Sequence, residues 1–387
     1  MPVPAPHRAP AGVSAWVSID LDAIRDNVAE LARRAGSAQV LAVVKGDAYG
    51  HGLVPSARAA LAGGATWLGV AQLDEALRLR EAGVDAPLLT WLFPPGADVG
   101  GAIDADIEVT VGSRWTLDAV TAAARERGHP ARVQVKVDTG LGRGGILTDW
   151  SDMVHEVARA QAEGSVEVTG VWSHFAWADA PQHPTVRAQQ ERFVEACAEL
   201  ERAGVRPPLR HLANSAATLT NPDAHFDMVR PGLAVYGLSP VPDLGDPKSF
   251  GLREAMRVTA RLTLVKRARA GQGVSYGHEY VTDRDTVLGL VPMGYADGIP
   301  RSAGGRGPTL VRGERRAVAG RVCMDQFVLD LGPGYAGAAG DEVVVLGRGA
   351  DGEPTAQDWA DAAGTINYEI VTRMGPRLPR VHLGGRG

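Results

Sequence analysis

Cysteine is scarce in this chain of 387 residues, which contains only Cys197 and Cys323. The two lie far apart and show no metal-ligand spacing, so the sequence supports neither a disulfide framework nor a zinc site. Long apolar runs are also missing, and no stretch is long enough to span a bilayer. Residues 1–6 lack the apolar segment of a signal peptide, so we expect a disordered arm there and a cytoplasmic protein.

An excess of positive charge is absent as well. The chain has 40 basic and 45 acidic residues, for a formal net charge of -5. This balance gives no electrostatic footprint for nucleic acid or for an anionic membrane. With 45% hydrophobic and 22% charged residues, the sequence is typical of a soluble globular protein long enough for two domains.

The first part of the chain alternates short apolar runs with segments of helical periodicity. One such segment, 73–83, has apolar residues spaced three and four apart and ends in glycine. Eight alternations over roughly 200 residues favour a closed (β/α)8 TIM-like barrel over an open doubly wound sheet. The eight runs are 40–45, 67–71, 87–92, 107–111, 132–138, 166–174, 209–213 and 227–230.

After about residue 252 the pattern changes and β-type runs dominate. These runs are 258–265, 286–291, 317–331 and 342–346, with one helical pattern at 355–363. We therefore predict a cofactor-binding barrel domain over residues 1–252 and a mainly β domain over residues 253–387.

Polar residues collect at the ends of the predicted barrel strands, where barrels carry their active sites. Lys45 ends the first run, and an amine partly buried there can form a Schiff base with a carbonyl cofactor. Alternatively, its stem packs against the strand while the ammonium reaches water. A single polar residue at a strand end is more often a cap or a local hydrogen-bond partner. Only the convergence of several such residues on one face of the barrel favours an active site. The other strand-end residues are Lys136, Asp138, Arg143, His174, His211, Asn214 and Arg230.

The segment 228–232 follows the eighth run, where barrels often bind phosphate through backbone N–H groups. Asn214 and Ser215 add an amide and a hydroxyl after the seventh run. Pro231 and Gly232 could instead form a simple turn. With Lys45 across the rim, a phosphorylated aldehyde such as pyridoxal phosphate fits both ends of the predicted site.

Together these motifs resemble the alanine racemase family, pyridoxal-phosphate enzymes built of a barrel and a β domain. The segment 42–52, Ala-Val-Val-Lys-Gly-Asp-Ala-Tyr-Gly-His-Gly, is similar to the family's cofactor-attachment signature. The other motifs follow in the family's order and cover nearly the whole chain. They are 136–143, 173–176, 211–215, 230–232, 274–277, 294–298, 323–325 and 366–369.

The resemblance implies specific catalytic roles. Lys45 would carry the cofactor as a Schiff base and act as one base, and Tyr276 would be the second base on the opposite face of the substrate's α-carbon. Arg230 would face the pyridine nitrogen of the cofactor, and His174 and Arg230 would assist Tyr276. Because a guanidinium keeps its proton, the ring nitrogen would stay unprotonated.

The resemblance also implies binding roles. Arg143 and Met324 would contact the substrate carboxylate, and Lys136 matches a position that is carbamylated in some members. Two identical subunits would share each active site. The cofactor-binding residues would be Lys45, Tyr49, His174, Asn214, Ser215, Arg230, Gly232, Leu233 and Tyr368.

The implied function is interconversion of L-alanine and D-alanine by a two-base mechanism, which would supply D-alanine for peptidoglycan. A non-catalytic pyridoxal-phosphate carrier would lack the β domain and Tyr276. A decarboxylase of the same two-domain plan would need no second base. A broad-specificity amino-acid racemase would keep both bases and differ in the shape of its pocket.

Overall fold

The computed structural model of the protein describes residues 11–385, which form two compact units. The barrel unit comprises Ile24–Ala48 and Leu53–Leu252. The β unit comprises the described residues up to Ala23, then Tyr49–Gly52, and the residues from Arg253 onward. The strands are β1 (Ala15–Asp20), β2 (Gln39–Val43), β3 (Trp67–Gln72), β4 (Leu88–Leu92), β5 (Ile107–Val111), β6 (Ala131–Lys136), β7 (Val166–Trp172), β8 (Leu209–His211), β9 (Met228–Val229), β10 (Met256–Arg261), β11 (Leu264–Ala268), β12 (Gly273–Val274), β13 (Tyr280–Val281), β14 (Thr286–Val291), β15 (Pro308–Val311), β16 (Glu314–Ala317), β17 (Phe327–Asp330), β18 (Glu342–Leu346) and β19 (Arg380–Leu383). The α-helices are α1 (Leu21–Ala35), α2 (Lys45–Gly50), α3 (Leu53–Ala62), α4 (Leu73–Glu81), α5 (Val99–Asp104), α6 (Arg114–Arg127), α7 (Trp150–Ala162), α8 (Pro184–Arg202), α9 (Ser215–Thr220), α10 (Ala356–Ala363) and α11 (Asn367–Thr372).

Within residues 11–385, the barrel unit has one parallel sheet of eight strands, ordered β8-β7-β6-β5-β4-β3-β2-β9. Two backbone hydrogen bonds join its ends, from Asp227 N to Arg210 O at 3.0 Å and from Arg230 N to Ala213 O at 2.9 Å. A parallel sheet covered by helices buries both faces of its strands, and all five residues of β5 are buried. The eight predicted runs coincide with β2 to β9, and the predicted barrel class is confirmed.

Helices alternate with the barrel strands because the connecting segments carry apolar residues at helical spacing. The predicted helix at 73–83 forms α4 over Leu73–Glu81. Helix α6 begins directly after β5, where the Ser113 side chain caps it by accepting a hydrogen bond from Thr116 N. This cap pairs one of the N–H groups that the first turn of a helix leaves without an intrahelical partner.

The β unit contains a sheet of six strands within the described residues, in the order β16-β15-β18-β10-β1-β19. Strand β1 pairs antiparallel with β10 and parallel with β19. Five consecutive residues of β1 are buried, so it needs partners on both edges and both faces. The predicted barrel domain spans residues 1–252 and has no strand before residue 40, whereas β1 lies at 15–20 and packs within the β unit.

The prediction of a mainly β second domain is confirmed, and the helical pattern at 355–363 forms α10. The prediction of a continuous β run at 317–331 is only partly confirmed, because after β16 ends at Ala317 the only strand in this range is β17. In the preceding segment, Cys323 O accepts a hydrogen bond from Tyr295 N, and Met324 O accepts one from Ala296 N, each at 3.0 Å. These carbonyls bind a neighbouring loop and are therefore not available to a sheet partner.

The structure also shows the state of the two cysteines and the character of the helices. Cys197 is a buried free thiol and Cys323 is a partly exposed one. No helix within residues 11–385 combines the length and the apolar character needed to cross a membrane. The predicted N-terminal arm, residues 1–6, lies outside the described residues.

Close packing of the barrel predicts a large effect of one added methyl group. A Cβ at Gly69 in β3 would lie 2.4 Å from Leu41 Cδ2 and 3.0 Å from Trp91 Cζ3. Gly69→Ala should therefore lower the free energy of unfolding by about 1–3 kcal/mol in urea denaturation. Gly334→Ala is the control, because nothing lies within 4 Å of its added Cβ. Equal urea midpoints for the two variants would contradict the prediction.

Candidate active site

Lys45 is the first residue of α2 and follows β2 and Val44. Its Nζ lies 5.8 Å from the centre of the Trp91 ring. Burial and the charge of Arg143 lower the pKa of Lys45, while Glu75 acts in the opposite direction. A lowered pKa increases the fraction of neutral amine, which is the form that attacks a carbonyl. The structure thus places a partly buried lysine with a lowered pKa at the carboxyl end of a barrel strand.

The turn after Lys45 has the opposite hand to an ordinary α-helix. The residues with positive φ are Gly46 (63°), Asp47 (52°), Ala48 (55°), Tyr49 (54°) and Gly50 (80°). The left-handed conformation costs an L-residue roughly 1–2 kcal/mol. Glu75 Oε1 stabilises the start of this turn by accepting a hydrogen bond from Gly46 N at 2.6 Å. Glu75 is not among the predicted site residues, and its only sequence signal is its place in the first turn of α4.

Lys136 is the last residue of β6, and its Nζ lies 4.4 Å from the centre of the Trp172 ring. Burial, together with the charges of Arg143 and Arg230, lowers the pKa of Lys136 to about 8. The aromatic face stabilises the remaining positive charge by a cation–π interaction. A larger fraction of Lys136 is therefore neutral at neutral pH than of an ordinary lysine.

The carboxylate of Asp138 organises the loop that follows β6. Its Oδ1 accepts hydrogen bonds from the N–H groups of Gly140 (2.9 Å), Leu141 (2.9 Å) and Gly142 (3.1 Å), and its Oδ2 from Arg143 N (3.1 Å). Burial alone would raise the pKa of Asp138, but these donors hold it below its usual value. The backbone of Arg143 is thereby fixed while its side chain stays exposed.

Arg230 lies in the barrel just beyond β9, with its guanidinium surrounded by neutral acceptors. Nη1 lies 3.1 Å from His211 Nδ1, and Nη2 lies 2.7 Å from Ser173 O and 3.3 Å from His174 Nδ1. Its Cζ lies 4.9 Å from the centre of the Trp172 ring. Burial lowers the pKa of Arg230 to about 9, which leaves it protonated at neutral pH.

Both histidines beside Arg230 are neutral. Burial, followed by the charge of Arg230, lowers the pKa of His174 and of His211 well below the usual range. A neutral imidazole has one nitrogen with a free lone pair, and in both rings Nδ1 faces a guanidinium that can only donate. Arg230 therefore keeps its charge without a carboxylate at its side.

The predicted phosphate segment forms two short turns that share one hydroxyl. Ser215 Oγ accepts hydrogen bonds from Gly232 N at 2.8 Å and from Ala234 N at 3.3 Å. Asn214 caps α9 through its Oδ1, which accepts from Ala217 N at 3.1 Å. Leu233 begins a 3-10 turn and is fully buried. The hydroxyl of Ser215 therefore holds the turn after β8 and the turn after β9 together at the barrel rim.

We call Lys45, Lys136, Arg143 and Arg230 the rim cations. Each of them raises the electrostatic cost of charging its neighbours: Arg143 lowers the pKa of both lysines, and Arg230 that of Lys136. Within residues 11–385, no salt bridge shorter than 4.0 Å joins a rim cation to a carboxylate. The donor set of the barrel rim therefore fits anionic ligands.

Two other predicted residues lie in loops of the β unit. Tyr276 begins a 3-10 turn after Ser275, whose φ is 61°, and its side chain is 70% exposed. Ser275 Oγ donates a hydrogen bond to Arg321 O at 2.8 Å and fixes this corner. Met324 is 54% exposed. Its carbonyl binds the backbone of the loop that carries Tyr295, so the two loops are held together.

Tyr49 and Tyr368 also belong to the β unit, with ring centres 6.3 Å apart. Burial and the neighbouring Tyr368 raise the pKa of Tyr49, so its phenol stays protonated and can donate a hydrogen bond. The predicted site residues therefore fall into two groups. The barrel unit gathers the rim cations with His174, Asn214, Ser215, Gly232 and Leu233, and the β unit carries Tyr49, Tyr276, Met324 and Tyr368.

Gln189, a buried residue that is not among the predicted site residues, supports the site residues of the barrel unit. Gln189 in α8 donates from Nε2 to His174 O at 3.0 Å and to Thr139 Oγ1 at 3.2 Å, and it accepts from Ala176 N at 2.8 Å. It thereby connects the loops after β6 and β7. A glutamine at an apolar position of the helix is its only sequence signal.

Comparison with known proteins gives consistent results. Residues 19–240 match the family model "Alanine racemase, N-terminal domain", and residues 255–382 match "Alanine racemase, C-terminal domain". The chain is 60% identical to an alanine racemase of Beutenbergia cavernae (95% of this chain, 97% of that one) and 58% identical to one of Thermobifida fusca (95% and 97%). It resembles the crystal structure of an alanine racemase from Streptomyces lavendulae with a TM-score of 0.95 and 57% identity, over 97% of this chain and 98% of the other. Since the two family models cover most of the sequence and the relatives match nearly end to end, the chain belongs to the alanine racemase family.

Proposed function

We propose that the chain is an isomerase that interconverts L-alanine and D-alanine with pyridoxal 5'-phosphate as its cofactor. The rim cations carry this proposal, because they form a cationic group without salt-bridged carboxylates in residues 11–385. A substrate carboxylate is an anion that such a group stabilises, and the positive potential also attracts an anionic cofactor. The proposal includes a cytoplasmic location and a supply of D-alanine for peptidoglycan.

The residues present fit this cofactor. Lys45 offers a partly desolvated amine for its aldehyde, and Arg230 offers a donor for its ring nitrogen. When bound, the cofactor would hold the substrate's amino group and accept electron density from its α-carbon. The phosphate would be held by the hydroxyls and backbone N–H groups of Tyr49, Ser215, Gly232, Leu233 and Tyr368, with Asn214 and His174 at the ring.

Two groups would move the proton at the substrate's α-carbon. Lys45 Nζ would remove or return it on one face, and Tyr276 Oη would do so on the other. Inversion needs this division, because a single base would return the proton to the face from which it came. Arg143, with Met324 as a second contact, would orient the substrate by its carboxylate, so that the α-hydrogen points at one of the two bases.

The direct test is to incubate the purified protein and pyridoxal phosphate with L-alanine and to follow the appearance of D-alanine. Serine and lysine are the comparison substrates, since a broad-specificity racemase would convert them at similar rates. Absence of D-alanine from cofactor-loaded protein would overturn the proposal.

The first prediction concerns cofactor attachment. Borohydride reduction of the loaded protein should fix pyridoxal phosphate on the peptide that contains Lys45, identified by mass spectrometry. Lys45→Ala should lose this label and at least a hundredfold in racemisation rate, the usual minimum contribution of a general base. Unchanged circular dichroism would show that the fold persists. A label on Lys136 would contradict the assignment.

The second prediction concerns the pH dependence of attachment, measured as the rate at which apoprotein takes up pyridoxal phosphate. Because Arg143 lowers the pKa of Lys45, Arg143→Met should move the rate profile to higher pH. Because Glu75 raises it, Glu75→Gln should move the profile to lower pH.

Two control variants accompany this measurement. Arg143→Lys keeps the positive charge, and Asp74→Asn alters an exposed carboxylate on the same helix as Glu75. Both should leave the profile in place. Shifts of the same sign in Arg143→Met and Glu75→Gln would contradict the electrostatic account.

The third prediction concerns a homodimer in which Lys45 of one subunit works with Tyr276 of the other. The exposure of Tyr276 in the single chain supports it. Lys45→Ala and Tyr276→Phe, each nearly inactive, should complement each other when subunits exchange. Random pairing makes about half the dimers hybrids with one intact site in two, so about a quarter of wild-type activity should return. No recovery, with exchange demonstrated by mass labelling, would rule out shared sites.

A further inference from the structure

A line of polar side chains runs through the barrel beneath Arg230. His211 Nε2 lies 2.7 Å from Gln134 Oε1, and Gln134 Nε2 donates to Glu108 Oε2, also at 2.7 Å. With the contact of 3.1 Å between Arg230 and His211, this gives a continuous path from β9 to β5. Arg230 is the upper end of this line, and the lower end is Glu108, the second residue of β5, which has no assigned role.

All members of this line are buried. Glu108 is 1% exposed, and Gln134 and His211 are fully buried. A carboxylate in such a place is costly unless donors surround it. Thr169 Oγ1 lies 2.7 Å from Glu108 Oε2, and Arg132 Nη2 lies 2.7 Å from Glu108 Oε1. Burial raises the pKa of Glu108, and the hydrogen bonds from Thr169 and Gln134 and the charge of Arg132 oppose this rise. The ion pair with Arg132 at the amino end of the strands favours the carboxylate form.

A glycine in the neighbouring strand leaves space for this line of side chains. Gly170 in β7 has an ordinary φ, so backbone conformation does not require glycine there. A Cβ at this position would lie 2.9 Å from both Cδ and Oε1 of Gln134. The missing side chain leaves space for the amide of Gln134 in its observed position.

The groups at the two ends of the line, Glu108 and Arg230, determine the direction of every hydrogen bond between them. Glu108 can only accept, so the amide of Gln134 presents its N–H to Glu108 and its oxygen to His211. His211 Nε2 must then carry the hydrogen, which leaves the lone pair on Nδ1. Arg230 can only donate, and this lone pair is what it needs. If Gln134 were reversed, an Nδ1–H would face an N–H of the guanidinium.

We propose that Glu108 is a positioning residue that acts through Gln134 to hold His211 as the Nε2–H tautomer, and so presents an acceptor to Arg230. This inference rests on the proposed function, because it assigns Glu108 to the group expected to face the cofactor ring. Glu108 touches neither the substrate nor the cofactor. It sets the tautomer of His211, two hydrogen bonds away, and thereby the acceptor offered to Arg230 at the third.

Glu108→Gln tests the proposal because it should reverse the whole line. The Arg132 guanidinium can only donate, so it should attract the new amide oxygen, which turns the amide NH2 toward Gln134. Thr169 can then donate to Val133 O, which already lies 3.1 Å from its hydroxyl. Gln134 would turn its oxygen to residue 108 and its NH2 to His211, which would become the Nδ1–H tautomer.

The readout is the ring nitrogen spectrum of His211 in full-length protein labelled with 15N-histidine. Protonated and unprotonated ring nitrogens have separate resonances, and a His211→Gln spectrum assigns the signal among the ten histidines. We expect the Nε2–H tautomer in the wild type and the Nδ1–H tautomer in Glu108→Gln. A wild-type Nδ1–H tautomer, or no change in Glu108→Gln, would overturn the proposal.

Two further variants keep the test decisive if Glu108→Gln folds poorly. Thr169→Val removes a donor to Glu108 but leaves the carboxylate, so His211 should stay as the Nε2–H tautomer. The double variant Glu108→Gln/Gln134→Glu exchanges the carboxylate and the amide. The carboxylate introduced at position 134 would accept from both neighbours, which should restore the Nε2–H tautomer. An Nδ1–H tautomer in either variant would contradict the proposed direction of the line.

A binding measurement separates this inference from the proposed function. Loss of the acceptor for Arg230 should weaken pyridoxal phosphate binding to apoprotein by about tenfold in Glu108→Gln, the loss expected for one hydrogen bond to a charged group. The double variant should recover most of it. If the tautomers behave as expected but the wild type does not racemise alanine, the proposed function fails and the positioning role stands.

Discussion

A parallel barrel delivers the carboxyl ends of all its strands to one rim, and the chemistry of the barrel unit depends on this constraint. It places Lys45 and Lys136 beside Arg143 and Arg230, although like charges repel more strongly in a partly desolvated site. The barrel offsets the repulsion with dipoles and π-faces. The Trp172 ring lies near both Lys136 and Arg230, and carbonyl oxygens and imidazole nitrogens surround the guanidinium. Because no carboxylate within residues 11–385 forms a salt bridge with these four side chains, much of the positive potential is left for ligands.

The parts of the site that follow apolar runs could be predicted from the sequence. Lys45, His174 and Arg230 each end such a run, and the parallel arrangement then determines their common rim. The side chains that orient them could not be predicted in this way. Glu75 contacts a residue 29 positions away, and Gln134 contacts one 77 positions away. Such partners depend on strand register and helix placement, which periodicity alone does not determine.

Similar limits explain the differences in the fold. Strand β1 pairs with β10 and β19, which are more than two hundred residues distant, so nothing near it in the sequence indicates its partners. The run 317–331 has the residue composition of a strand, yet the carbonyls of Cys323 and Met324 bind the loop at 294–296. Composition predicts the tendency of a segment to extend, whereas the available hydrogen-bond partners decide whether it joins a sheet.

The left-handed turn after Lys45 also limits how this part of the sequence can evolve. At Asp47, Ala48 and Tyr49 the backbone lies in a region that β-branched side chains avoid. Glycine, asparagine or aspartate would relieve the strain, but residue 49 must also keep an aromatic ring against Tyr368. Residues 47–49 therefore accept a much narrower range of replacements than residues of an ordinary right-handed helix would. A mutational survey would record them as intolerant although only one of them bears a proposed binding group.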